Sequence, residues 1–428
     1  MKNTIIKLLK EQKEMSAYSL VCFKVESKEA FFIKDKLDMN RGKNVVKTSL
    51  TVYKDFEADG KKYRGSASCK ISSQDSEEVL KEKISEALFA SSFVKNKWYP
   101  LPKPSNDNNV EVESIKTDLM ECLLKMQKTV YSLKEEGASI NSSEFFSNKV
   151  DVEIINSEGV DVSYTKASNE AEVITEAKGD EEVELYGYIE QGAVSEDSLA
   201  EILAEQLKNT RERAIAKKAT PVDSINVILK DSCLPKFFMF YTQQCSASEV
   251  YSKKSRAKIG ESLQGEIKGD AINIMLDPER KTSPFSSPYD ASGLRLKKVP
   301  IMEDGVVKTF HGDTRFAHYL GIEPTGNIQN IDVGAGTLSY DNDMKAKPYF
   351  EILMFSDFFM DVTTGNFGGE FRLARYFDGK ETHIVTGGSI SGNMFKVQGD
   401  MYLSKEIIEK GAYRGPKAVL LPNMQIVG

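Results

Sequence analysis

Near the start of the chain, Ile5, Ile6, Leu8 and Leu9 form an apolar stripe between lysines, which predicts an amphipathic opening helix. AYSLVCFKVES and EAFFIKDKL then read as strands. The clearest hairpin is NVVKTSLTVYKDFEADGKKYRGSASCKIS, where Val46, Thr48, Leu50 and Val52 alternate with polar neighbours and Asp59-Gly60 supplies the turn. Asp75 followed by Glu78 resembles a helix start, and Val79, Leu80, Ile84, Ala87 and Leu88 follow at helical spacing. WYPLPKPSNDNN reads as a linker. Beyond it, Ile115, Leu119, Leu123, Met126, Val130 and Leu133 share one face of a long helix ending near Gly137. A β-meander turning at Glu158-Gly159 comes next, then a helix N-capped by Ser195 with Leu199, Leu203 and Leu207 on one side. After Pro221 the chain becomes short strands punctuated by Gly, Pro, Asn and Asp, with few helices.

This pattern gives an α+β fold: a mixed α/β N-terminal region followed by a β-rich C-terminal domain. The expected division is an N-terminal α/β domain over 1–113, a middle helix plus β-meander over 114–220, and the β-rich domain over 221–428. A length of 428 residues agrees with more than one core. With 40% hydrophobic and 28% charged residues the composition is that of a soluble folded protein. The net charge of −7, with Lys and Arg spread along the chain, argues against nucleic acid as a partner. No apolar run approaches the roughly 20 residues of a membrane span, and the lysine-interrupted N-terminus lacks a signal-peptide core. The five cysteines, none in a CxxC pair, fit reduced thiols in the cytoplasm.

Chemistry is sparse in the pattern. Two of the three histidines lie in FHGDTRFAHYLG, at His311 and His318. Seven residues of helix separate side chains by about 10 Å, too far for a local zinc pair. A strand end at His311 and a helix packing Phe316, His318 and Tyr319 against the domain is the preferred reading. His383 reads as a surface or half-buried strand residue after the Asp378-Gly379 turn. A pairing of His383 with Cys245 or Cys233 has no support in the spacing. The glycines of VGAGTL and VTGGSISGN lack the strand–GxGxxG–helix setting.

The order of several short segments nevertheless resembles the PmbA/TldD family, known historically as modulators of DNA gyrase and now regarded as metallopeptidase components. LDPERKTSPFSSPYDASGLRLKKVPIMEDGVVKTF resembles the family's Pro-rich stretch and "ENGV"-like hairpin. HYLGIEPTGNIQN is similar to the segment ending in Thr-Gly-Asn, and TTGNFGGEFRLARYFDGKE to the "G-(D/N)-F-S" motif. GGSISGNM corresponds to "vtIAGNL", LLPNMQIVG to "mtVAG", and INSEGVDVSY to "anSeGv". The resemblance marks Gly365, Asn366, Phe367, Gly392 and Asn393 as signature turns. Catalytic TldD-type members carry HExxxH early in the C-terminal domain. The matching stretch here, CLPKFFMFYTQQCSASEVYSKKS, places Tyr241, Thr242 and Ser246 at the His, Glu and His positions. None supplies a neutral imidazole ligand or a general-base carboxylate.

The resemblance therefore implies a PmbA/TldE-like subunit that lacks its own zinc and catalytic residues. Its expected partner is a TldD-like HExxxH subunit holding the zinc, and the pair would act as a cytoplasmic peptidase on unfolded peptides. A homodimer is one open possibility for the chain alone, whose oligomeric state the sequence leaves undecided. Arg372 and Arg375, after an atypical Gly-Gly-Glu, are candidates for lining a peptide channel. Two alternatives stay open: a stand-alone hydrolase, and a regulatory binding protein acting on gyrase or a toxin–antitoxin system.

Overall fold

In the computed structural model, which describes residues 2–105 and 118–428, the first half of the chain builds one antiparallel sheet. Its elements are α1 (Lys2–Lys10), β1 (Ala17–Ile33), β2 (Lys36–Ala58), β3 (Lys61–Ile71), α2 (Glu77–Ser91), β4 (Asn96–Lys97), α3 (Leu119–Ser132), β5 (Ala138–Asn156), β6 (Asp161–Lys178), β7 (Glu182–Gln191) and α4 (Glu196–Ile215). The strand order is β4-β3-β2-β1-β5-β6-β7, so β1 pairs with β5 and joins the strands of 1–113 to those of 114–220. The four helices cover one face. Leu8, Leu50, Val52 and Ile84 meet under α1 and α2, while Phe145, Val173, Val130 and Leu203 meet under α3 and α4.

The hairpin turn falls at Asp59-Gly60, both with positive φ, and the Ser195 hydroxyl caps α4 through the amide of Ser198. Several expectations shift, among them the end of the third helix, which stops at Ser132 with Leu133 extended rather than running to Gly137. The two opening strands are one continuous strand, because polar Ser27 and Glu29 are buried on it with partners. The second helix is capped by Ser76 rather than Asp75, which instead accepts from the Ser72 amide. Ile115 and part of the expected linker lie outside the described residues, and the linker's Tyr99 and Leu101 are buried.

The second half contains β8 (Lys217–Lys218), β9 (Val222–Lys230), α5 (Leu234–Gln244), α6 (Ala247–Tyr251), β10 (Ile274–Leu276), β11 (Val299–Glu303), β12 (Val306–Val307), α7 (Thr314–Leu320), β13 (Ile331–Val333), β14 (Tyr349–Met360), β15 (Asn366–Phe377), β16 (Thr382–Thr386), β17 (Gly388–Asn393), α8 (Met394–Val397), β18 (Tyr402–Leu403), β19 (Ile407–Lys410), β20 (Tyr413–Pro416) and β21 (Ala418–Val427). The fold is thus α+β with a β-rich C-terminal half, as the pattern predicts. Strands β14-β9-β21-β17-β15 run side by side, and pairing of β14 with β15 closes them into a barrel. A second sheet, β12-β11-β10-β13-β20-β19, lies beside it. Helix α5 packs between the two. Its Phe237 meets Phe367 of the barrel at 5.6 Å between ring centroids, and its Phe238 stacks on Tyr413 of the second sheet at 5.9 Å. A helix reading Phe-Phe-Met-Phe-Tyr is apolar over most of its circumference and belongs inside a core.

Candidate functional site

The barrel is split on one side. β17 pairs with β21 only at Ser389–Val427 and Ile390–Ile426, and β21 is irregular from Leu421 onward, with Asn423 at φ 55°. Between the parted ends lies an open cleft of about 730 Å³, lined by Asn366 and Phe367 of β15, Gly392 and Asn393 of β17, and Asn423 and Met424 of β21. Three segments far apart in sequence therefore meet in one place. Among the expected signature turns, only Gly365 sits in a turn, at φ +77°. Asn366 and Phe367 are instead strand residues paired with Asn393 and Gly392. Their amides and rings explain why those residue types stand there. The Asn393 amide donates to the Asn366 side-chain oxygen (2.8 Å) and the Thr364 carbonyl (2.9 Å), while its Oδ1 caps α8.

Gly392 has no positive φ and is required by close approach: a Cβ there would lie 2.4 Å from the Phe367 ring and 3.1 Å from the Met424 methyl. Gly392→Val is expected to cost about 1–3 kcal/mol by overpacking. A lower melting temperature with secondary structure retained checks it, and an unchanged melting temperature refutes it.

Beneath the cleft, Gln244 at the end of α5 donates to the Val362 carbonyl (2.5 Å) and accepts from the Arg256 amide. The residues that the resemblance places at the zinc-motif positions lie on this helix and just past it. Tyr241 is fully buried, its hydroxyl has no hydrogen-bond partner, and burial raises its pKa well above the usual value. The Thr242 hydroxyl donates to the Met239 carbonyl (3.1 Å). Ser246 stands beyond the end of α5, as the N-cap of α6, with its hydroxyl against that of Ser248 (2.9 Å). These three groups do not fit a zinc ion. A phenol locked in its neutral form, a hydroxyl turned onto its own helix and a residue past a helix break do not converge as ligands.

His311 reaches this helix from the segment just before α7. Its Nε2 donates to the Thr242 carbonyl (2.8 Å), since a carbonyl only accepts, and its backbone pairs with Cys245 and Ala247. Burial lowers its pKa, so the ring is held neutral. A group depressed in this way adds stability above the usual pKa of about 6.5 that is lost as pH falls through its lower folded value. Acidification below pH ~6.5 is therefore expected to destabilise the protein less in His311→Gln than in the wild type, as read by urea unfolding across pH; parallel curves refute this. Burial pushes the Cys245 thiol up to about 12, leaving no thiolate for nucleophilic attack. His318, on α7, packs edge-on against Trp98 (5.7 Å).

Arg372 and Arg375 do not share a face of β15. Arg372 is exposed and bonds Ser356, whereas Arg375 is engaged inward with Glu212 (2.9 Å) and Glu351 (3.4 Å). Sequence reasoning missed one cluster: the ligand atoms of Asp378, Glu381 and His383 lie within 4.8 Å of one another on an exposed turn. Its signal was the spacing Asp-x-x-Glu-x-His. Backbone amides of Glu381 and Lys380 hold the Asp378 carboxyl down to about 2. Among the described residues no helix is long and apolar enough to cross a membrane.

Comparison with known proteins follows the same lines. Residues 223–428 match the PmbA/TldA metallopeptidase C-terminal domain. No curated protein matches the chain at the sequence level. TldE from Thermococcus kodakarensis superposes with a TM-score of 0.77 at 16% identity, over 99% of this chain and 100% of that one. A protein from Thermotoga maritima described as a candidate modulator of a DNA gyrase gives 0.76 at 17%, over the whole of both chains. A similarly described protein from Bacteroides thetaiotaomicron gives 0.75 at 14%, over 100% of this chain and 98% of that one.

Proposed function

We infer that this chain, which belongs to the PmbA/TldD family through its C-terminal domain, serves as the non-catalytic subunit of a cytoplasmic two-chain zinc peptidase that acts on unfolded peptides. The observation that carries this reading is the environment of Tyr241, Thr242 and Ser246: a fully buried phenol, an internally bonded hydroxyl and a helix break where a zinc motif would stand. The partner would be a TldD-like chain with intact HExxxH, supplying zinc as Lewis acid and activator of water. Likeness in fold to TldE supports the choice of subunit type. What this chain contributes is wall and positioning. Its split barrel presents the cleft between β17 and β21, where a peptide would be held while the partner's metal does the chemistry.

The stand-alone hydrolase has weaker support, because the Cys245 thiol is held protonated and His311 spends its Nε2 proton on a backbone carbonyl. The test is reconstitution. The purified chain alone is expected to leave an unfolded peptide intact, and a mixture with its HExxxH partner to cleave it in a chelator-sensitive way. Chelator-resistant cleavage by this chain alone, lost in Cys245→Ala, would overturn the reading.

A further inference from the structure

The helices cover one face of the N-terminal sheet, and the opposite face is only half covered. Its lower part is closed by the 284–293 segment of the C-terminal half, where Ser287 bonds the Tyr164 hydroxyl (2.8 Å) and Lys166 reaches the Pro284 carbonyl (3.2 Å). Above Lys166 the face opens by degrees: Glu29 is still buried, Phe31, Phe146, Glu170, Glu172 and Glu190 are half-buried, and Glu144 and Tyr188 are exposed. Register places Phe31, Glu144, Glu172 and Tyr188 in one row across β1, β5, β6 and β7, and Glu29, Phe146, Glu170 and Glu190 in the next. The Phe31 and Phe146 rings, 5.8 Å apart, confirm that the rows share a face. Large apolar groups stand exposed around them: Tyr186 at 59%, Ile33 at 58% and Met39 at 45%. These exposed apolar groups, with the carboxylates Glu144 and Glu172 between them, have the composition of a binding surface.

Its charge says what it would bind. Glu29 is neutralised by Arg41 and Lys43. The other four carboxylates are crowded on one another instead. The Tyr186 hydroxyl donates to Glu172 (2.9 Å) and that of Tyr188 to Glu170 (3.2 Å). Partial burial, and then the neighbouring carboxylates Glu172 and Glu170, raise the pKa of Glu144 and Glu190, although Arg41 and Lys166 attract them through space. A cationic surface would relieve this repulsion, whereas a second copy of this chain docked face to face would double it.

We propose that the open half of this sheet face is the docking surface for a different protein chain bearing a basic, partly apolar patch, and that in the two-chain peptidase this partner is the HExxxH subunit. The assignment rests on the reading given under Proposed function. It is tested by sedimentation velocity of this chain with the HExxxH subunit of the same organism, at low and high salt, using wild type, Glu144→Lys/Glu172→Lys and Tyr186→Ala. These side chains are at least partly exposed, and thermal unfolding of each variant confirms its fold. Wild-type association that weakens with salt, and about tenfold or more with the charge reversal, is the expected result. Association left intact by both variants overturns the surface and leaves the two-chain reading standing. No association by the wild type overturns that reading and the surface together. A wild-type chain that dimerises alone and loses its dimer on charge reversal places a second copy on this face and also overturns the proposal.

Discussion

Glu351→Ala is expected to remove about 3–5 kcal/mol of stability, the cost of deleting one member of a buried ion-pair network. The Glu351 side chain, on β14, has no exposure. It accepts from the Tyr340 hydroxyl, and Lys345 and Arg375 each lie 3.4 Å from it. Arg375 is in turn bonded to Glu212 of α4, and Lys230 of β9 to Glu205 of the same helix. The network therefore fastens the last helix of the N-terminal sheet to the barrel. Burial by itself would raise the Glu351 pKa, but Lys345, the Tyr340 hydrogen bond, Lys230 and Arg375 outweigh it and bring it below the ordinary carboxylate value of 4.5. A depressed carboxylate contributes stability above that ordinary value and loses it as pH falls through the folded one. Chemical denaturation should therefore show a large gap between wild type and Glu351→Ala at neutral pH, narrowing on acidification below pH ~4.5. Equal stability at neutral pH would refute the account, and a gap that stays constant with pH would refute its electrostatic part. Glu351→Gln, which keeps a hydrogen-bond acceptor for Tyr340, should fall between the two.

The same network shows where sequence stops being legible. The sequence offers Arg375 as a candidate channel-lining residue, and its partner Glu212 is 163 residues away, so nothing local announces its burial. Asp59-Gly60 and Ser195 were legible because a turn and a cap are settled within a few residues. β1 reads as two strands because Ser27 and Glu29 interrupt its apolar pattern, and only pairing with β2 supplies the Arg41 and Lys43 that allow Glu29 inside. The candidate cleft was legible in pieces. Gly-Asn-Phe, Gly-Asn and the terminal Pro-Asn-Met stand out as motifs, but their meeting depends on closure of a barrel through β14 and β15 and on the parting of β17 from β21. Long-range pairing of that kind has no signature in periodicity.

Restoring the motif letters should not restore a metal centre. Tyr241→His, Thr242→Glu and Ser246→His together recreate the His-Glu-x-x-x-His order, yet the expected zinc content of the purified triple variant is far below one per chain. At position 241 an imidazole would replace a phenol among the rings of Phe238 and Phe240 in a fully buried site, where the Tyr241 hydroxyl already lacks a partner. At 242 a carboxylate would enter a half-buried position whose backbone carbonyl receives the His311 proton. At 246 the chain has left α5, with Cys245 as its C-cap, so the third ligand would start from a different helix. Coordination demands ligand atoms about 2.0–2.2 Å from one ion in tetrahedral array, and three side chains divided by a helix break and a core do not reach it. The triple variant is also expected to melt earlier than the wild type, since an imidazole and a carboxylate are poorly compensated there. Elemental analysis after dialysis decides the point: stoichiometric zinc, with chelator-sensitive peptide cleavage by the triple variant alone, would show that the fold holds a latent metal site at positions 241, 242 and 246.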